Sequence, residues 1–172
     1  MNYASAGCIF HNEQFILAGY QPRKQKPVLS GLGGRKEGDE ECIVTALRET
    51  IEELLDLQTV PLDFIREIQE SIPFERYIQS GDYVSFLYSF EDLQKMLELL
   101  KCKGIHSELY DEFPTNLLAL LFNRKQLAYP AEISHLVLFP LVNHPKDAPF
   151  VSPYFLKDIR LLLAKPSGSV DS

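Results

Sequence analysis

The chain has 172 residues, 45% of them hydrophobic, enough for one domain with a substantial core and no need of a second. A net charge of −7 and a pI near 5.1 exclude a generally basic nucleic-acid-binding surface, while leaving room for a local basic patch. Cys8, Cys42 and Cys102 are widely spaced and form no Cys-x-x-Cys pair, which excludes a disulfide framework or zinc motif of the usual spacing.

Near the N-terminus no basic-then-apolar leader is legible, and no apolar run reaches the length of a membrane span, so a cytoplasmic protein without a membrane partner is expected. Residues 3 to 11 and 15 to 20 read as two strands joined by a short Asn12-Glu13-Gln14 turn, with Cys8 as a small buried apolar residue of the first. Arg23, Lys24, Lys26, Arg35 and Lys36 follow within fourteen positions, a local basic excess in an acidic chain. Such a loop can receive phosphates by direct ion pairs or serve only solubility.

The glycine cluster Ser30-Gly31-Leu32-Gly33-Gly34 lets the backbone turn sharply or approach a ligand without a Cβ penalty. Behind it the spacing predicts a helix with Asp39 as its N-cap. At about 100° per residue, Ile43, Ala46, Leu47, Thr50, Ile51 and Leu54 form a mostly apolar stripe that anchors this helix to a core. Glu49, Glu52 and Glu53 are neighbours on the other face. At an effective dielectric of about 20, two carboxylates roughly 5 Å apart repel by about 3 kcal/mol, so three together invite a cation. All-oxygen ligands suit a hard ion, Mg2+ or Mn2+, whose shell substrate phosphates often complete.

Residues 63 to 72 and 83 to 90 are strand-like, whereas residues 91 to 102 and 114 to 126 have helical apolar spacing. A polar tail, residues 166–172, is expected to be mobile.

With the glycines before it, the acidic helix resembles the Nudix box, G-x5-E-x7-R-E-U-x-E-E-x-G-U, where U is aliphatic. Gly34, Glu40, Arg48, Glu49, Glu52 and Glu53 fall on its fixed positions. Thr50, Leu55 and Asp56 depart from it, and without a glycine at 55 the helix is expected to run on to Asp56 or Leu57. The resemblance implies the fold of Nudix hydrolases, an α/β class α/β/α sandwich around a mixed sheet, over residues 1–165, with residues 132 to 141 similar to the family's late strand and residues 153 to 163 to its closing helix. In that pattern residues 91–130 are a helical insertion, read as a lid or a homodimer surface rather than extra core.

The resemblance also implies an activity: metal-dependent hydrolysis of a phosphoanhydride bond in a nucleoside diphosphate linked to another moiety. Mg2+ or Mn2+ would be the cofactor, Glu49 and Glu53 its first ligands, and Glu52 a third ligand or the base; which glutamate is the base stays open. Arg48 is expected to orient Glu49 and contact Glu40, Gly34 to support the turn, and the Gly33 carbonyl to add a ligand. Glu132 matches a further carboxylate position, with Glu108, Asp111 and Glu112 as weaker alternatives. Arg23, Lys24, Lys26 and Arg35 would bind substrate phosphates. Tyr20, Phe74 and Tyr77 offer ring faces to a base or belong to the core, and the four histidines receive no role. Alternatives are hydrolysis at a capped or diphosphorylated RNA 5′ end, hydrolysis of a diphosphoinositol polyphosphate, and a non-catalytic nucleotide-binding module.

Overall fold

In the computed structural model, which describes residues 2–22, 26–127, 131–142 and 148–164, the first two expected strands form β1 (Ser5–His11) and β2 (Phe15–Gln21). Asn12 builds their turn, its side-chain oxygen accepting the amides of Gln14 at 2.9 Å and Phe15 at 2.7 Å, the local chemistry that favours asparagine in turns. The two strands pair only beside this turn, where His11 faces Ile16. Beyond it they part. The first half of β1 takes β4 (Leu32–Arg35), while β2 takes β3 (Val28–Ser30) at its far end and β7 (His135–Pro140) along its other edge.

On the remaining edge of β1 lies β6 (Tyr83–Ser89), parallel and in register from Ser5↔Tyr83 to His11↔Ser89, and β5 (Arg76–Ser80) pairs antiparallel with it. One parallel pair among antiparallel ones makes the mixed sheet that was expected. Because strand side chains alternate, Ala6, Cys8, Phe10, Val84, Phe86 and Tyr88 face one layer of helices, and Ile9 and Leu87 face another. The first layer is α1 (Cys42–Leu55), α2 (Leu62–Ser71) and α3 (Phe90–Cys102); the second is α5 (Pro153–Leu163), opened by a proline at its first turn. No helix of the described residues is long and apolar enough to cross a membrane.

Residues 62–71 are a helix, not the strand expected over 63 to 72. Ile65 and Ile68, three apart, are its buried residues, and Asp63 sits in the first turn where a helix favours negative charge. Asp39 is not a cap either: Glu41 holds that position, without a side-chain hydrogen bond. The glycine strand β4 leads to the helix through a turn closed by Glu40 N donating to the Glu37 carbonyl, and that turn leaves Asp39 outside.

At its other end α1 stops at Leu55 instead of running on. Asp56 adopts the left-handed conformation (φ 51) and the Leu57 amide donates to the Glu52 carbonyl at 3.0 Å, a closure usually made by glycine or asparagine. Leu55 itself is fully buried.

Within residues 91–127, read as a lid or homodimer surface, Leu93, Met96, Leu97, Leu100, Leu109, Tyr110 and Leu120 join the core cluster around α1. A reciprocal capping box starts α3, Ser89 Oγ accepting from Asp92 N while Asp92 Oδ2 accepts from Ser89 N. The second expected helix shrinks to α4 (Leu117–Phe122), capped by Asn116. The expected mobile tail lies outside the described residues.

Candidate active site

The site forms where β4 passes under α1. Gly33 has φ 141, and a Cβ there would run into the backbone of Gly7 and Ala6 on β1, so only glycine lets the strands close here. A Cβ on Gly34 would instead strike the Glu49 carboxylate. Glycine at 34 therefore clears the space that Glu49 fills.

Glu53 is buried, 7% exposed, and its Oε2 accepts the Gly33 amide at 2.7 Å while Oε1 lies 3.4 Å from Gln21 Nε2. Gly33 thus fixes Glu53 through its amide. Gln21, also buried, reaches this carboxylate from the end of β2, across the gap where β2 has left β1.

Arg48 organises the other glutamates. Its Nε donates to Glu40 Oε1 at 2.8 Å and Nη2 to Glu40 Oε2 at 3.0 Å, a bidentate fork. Nη1 donates to Glu49 Oε1 at 3.0 Å and to Glu52 Oε2 at 3.1 Å, and Nη2 also reaches the Arg35 carbonyl at 3.0 Å. The expectation that Arg48 orients Glu49 and contacts Glu40 matches this geometry. Glu40 is held from a second side by Thr45 Oγ1 at 2.8 Å, and Tyr3 donates to the Glu40 carbonyl at 2.5 Å.

These contacts set the protonation states. The hydrogen bonds that Arg48 donates to Glu40, above all, raise the guanidinium above its ordinary value, with burial acting against them. For Glu40, burial pushes the carboxyl up, but Arg48 and Thr45 outweigh it and hold the group below its ordinary value. For Glu52 the balance reverses: burial raises the carboxyl, the Arg48 charge opposes this and the Glu49 charge adds to it.

The three helix glutamates share one region but answer to different partners, Glu49 and Glu52 to Arg48, Glu53 to Gly33. Among the described residues no three acidic, histidine or cysteine side chains converge as a ready-made metal cage. The departure at Thr50 has a local reason: its hydroxyl accepts the buried Cys8 amide at 3.0 Å, a bond an aliphatic residue could not make.

The other expected residues are less closely gathered. Lys26 and Arg35 are exposed, and Arg23 and Lys24 lie outside the described residues. Glu132, Glu108 and Glu112 are exposed, and Asp111 pairs with Lys125 at 2.9 Å. Tyr20 lies edge-on to His135, while Phe74 and Tyr77, each partly exposed, pack against Phe86. Sequence reasoning missed Gln21, Tyr3 and Thr45, whose contacts with the box span many residues or carry no charge signal.

No family model matches the chain, and no curated protein matches it. Among solved structures it is similar to a bifunctional NMN adenylyltransferase/ADP-ribose pyrophosphatase from Francisella tularensis, complexed with AMP and a Mn ion. The TM-score is 0.50 at 13% identity, over 95% of this chain and 41% of that one. It is also similar to a Nudix family hydrolase from Clostridium perfringens, with TM-score 0.40 at 13% identity, over 95% of this chain and 100% of that one. The chain thus spans about two fifths of the bifunctional protein. Its fold is Nudix-like: an α/β architecture with a mixed sheet between helical layers.

Proposed function

We propose that the chain is a Mg2+- or Mn2+-dependent hydrolase of a diphosphate linkage in a nucleotide-derived substrate. The observation that carries this is the Arg48 network, which holds Glu40, Glu49 and Glu52 together beside a glycine strand whose amide fixes Glu53. An ordinary salt-bridged helix face would not need a glycine at 34 to admit it.

The donor set fits a hard dication. It is all oxygen, Glu52 is desolvated beside the Glu49 charge, and Gly34 leaves the room that the Glu49 carboxylate occupies. Because Mg2+ usually takes one or two carboxylates plus water and substrate phosphates, a closed protein cage is not required. Glu49, Glu52 and Glu53 would hold the ion, with Glu132 as a further carboxylate. A bound dication would shield phosphate oxygens and lower the pKa of water.

The chain's own part is orientation and proton handling. Arg48, kept charged, holds Glu49 and Glu52 in place from the protein side, and the Gly33 amide and Gln21 do so for Glu53. A carboxylate of this set accepts the proton of the attacking water; Glu52 and Glu53 are the candidates. Lys26, exposed just before β3, and Arg35, exposed at the end of β4, together with Arg23 and Lys24 would receive the remaining phosphate charge. The Francisella neighbour was solved with AMP and a Mn ion, which supports a nucleotide-derived substrate.

The test is product release from a panel of dinucleoside polyphosphates, nucleotide sugars and capped RNA with Mg2+ or Mn2+, for the wild type and Glu53→Gln. Turnover that collapses in the variant supports the proposal. Identical behaviour of the two on every substrate overturns it.

A further inference from the structure

The last carbonyls of a helix lack intrahelical partners and carry its negative dipole end. In α1 these belong to the turn that bears Glu52 and Glu53, and that turn contains no basic residue of its own. The residues after α3 supply what is missing. Ser107 Oγ donates to the Leu55 carbonyl at 2.6 Å. Arg124 Nη1 donates to the Leu54 carbonyl at 2.5 Å, and Nη2 approaches the Glu53 carbonyl at 3.4 Å.

The same guanidinium reaches a second segment. Nη2 donates to the Ile133 carbonyl at 2.6 Å, and Nη1 to the Tyr110 hydroxyl at 3.1 Å, which in turn donates to the Leu120 carbonyl at 2.8 Å. All four oxygens are neutral, so the cation is spent on backbone geometry and on the helix end. Ile133 follows Glu132 directly and leads into β7. One side chain therefore spans the main chain of Glu53 and the main chain next to Glu132.

We infer that Arg124 is a positioning residue that sets the glutamate-bearing end of α1 against the segment carrying Glu132, and that this is a task of the inserted region. The inference rests on the hydrolase reading for its effect on turnover but not for the tie itself. The planar fork sets separate nitrogens against the carbonyls of the two segments, whereas a lysine keeps the charge but offers a single nitrogen on a flexible stem in their place and is expected to weaken the bridge.

The experiment compares the wild type, Arg124→Lys and Ser107→Ala by amide hydrogen exchange and by steady-state kinetics on the best panel substrate. In Arg124→Lys, exchange is expected to rise together at residues 54–57 and 133–136, and kcat to fall on the order of tenfold to a hundredfold with KM little changed. Ser107→Ala, which loses the helix-end bond and a local bond from the Leu109 amide but no contact with residues 133–136, is expected to loosen residues 54–57 and the Leu109 amide, leave 133–136 unchanged and keep kcat within about threefold. Wild-type kcat in Arg124→Lys, or loosening of one segment only, overturns the inference.

If the wild type turns over no substrate, the hydrolase reading fails separately, and the exchange pattern alone decides on the tie. Should Arg124→Lys not fold, exchange in the wild type decides: tied segments open with one free energy, and two unrelated openings overturn the proposal.

Discussion

Acidic side chains gather toward both ends of β1, and the two gatherings differ in how they are held. Around Ala6 and Gly7, where β4 pairs, Glu40, Glu49, Glu52 and Glu53 are drawn inward by Arg48, Thr45, Gln21 and the Gly33 amide. Around His11, about 17 Å along the strand, Glu13, Glu75 and Glu91 line a cavity of about 480 Å3. There His11 Nε2 lies 3.3 Å from the Glu75 carboxylate, and the Glu75 side chain is 45% exposed. The second place is open to solvent, whereas the first is ordered, its desolvated carboxylates fixed by a buried cation before any ligand arrives.

The sharpest way to break this contrast is to neutralise one carboxylate at each end. Glu53→Gln keeps an acceptor for the Gly33 amide but loses the charge, and is expected to lower kcat by about 10²–10⁴-fold, measured by product release. Glu75→Gln is expected to leave kcat unchanged within about twofold; a comparable loss there would put the chemistry at the wrong end.

Stability should separate the two ends as well. Arg48→Ala strips a mostly buried network of its cation and is expected to cost about 3–5 kcal/mol in urea unfolding, against about 0–1 kcal/mol for Glu75→Gln. Its pH dependence has a definite sign. Since Glu40 is held below its ordinary value, in spite of burial, by Arg48 and Thr45, its stabilisation is present above pH about 4.5 and lost as pH falls through the lowered value. The acid limb of the stability curve should be steep in the wild type and flatter in Arg48→Ala.

Gly34→Ala sharpens the picture inside the organised end. The added Cβ strikes the tip of the Glu49 side chain, which can swing aside, so the fold is expected to survive. Displacing that carboxylate by about 1 Å is expected to lower kcat by up to about a hundredfold, with thermal unfolding within a few degrees of wild type.

A smaller effect is expected from a buried acid on the far layer. Burial raises the Asp158 carboxyl to about 6, with Lys157 pulling the other way. A raised carboxyl destabilises the fold once it must ionise, so the penalty is absent below its unfolded value near 4 and complete above about 6. Asp158→Asn is therefore expected to gain on the order of 2 kcal/mol at pH 8 and nothing at pH 4, in paired unfolding curves.

Much of the site was legible because its signals are local. Arg48, Glu49, Glu52 and Glu53 lie within two helical turns of an apolar stripe, and helical geometry alone puts them on neighbouring positions. The hairpin, β6 and α3 were legible for the same reason, since turn residues, strand character or helical apolar spacing sit inside the element, whereas α5 was expected only from the resemblance. Residues 62–71 misled because Phe64 and Ile65 look strand-like as a pair, and only the packing of Ile65 with Ile68 selects the helix.

Gln21, Tyr3, Ser107 and Arg124 could not be found by spacing, because each meets the acidic helix or its lead-in across dozens of residues or more. Pattern along the chain determined that a carboxylate-bearing helix would exist and which of its faces would be apolar. Tertiary structure decided which way each carboxylate turns, where the helix stops and what holds its end. A hydrogen bond to a distant backbone group leaves no periodic trace in the sequence, and it forms only after the strands and the inserted helices have packed.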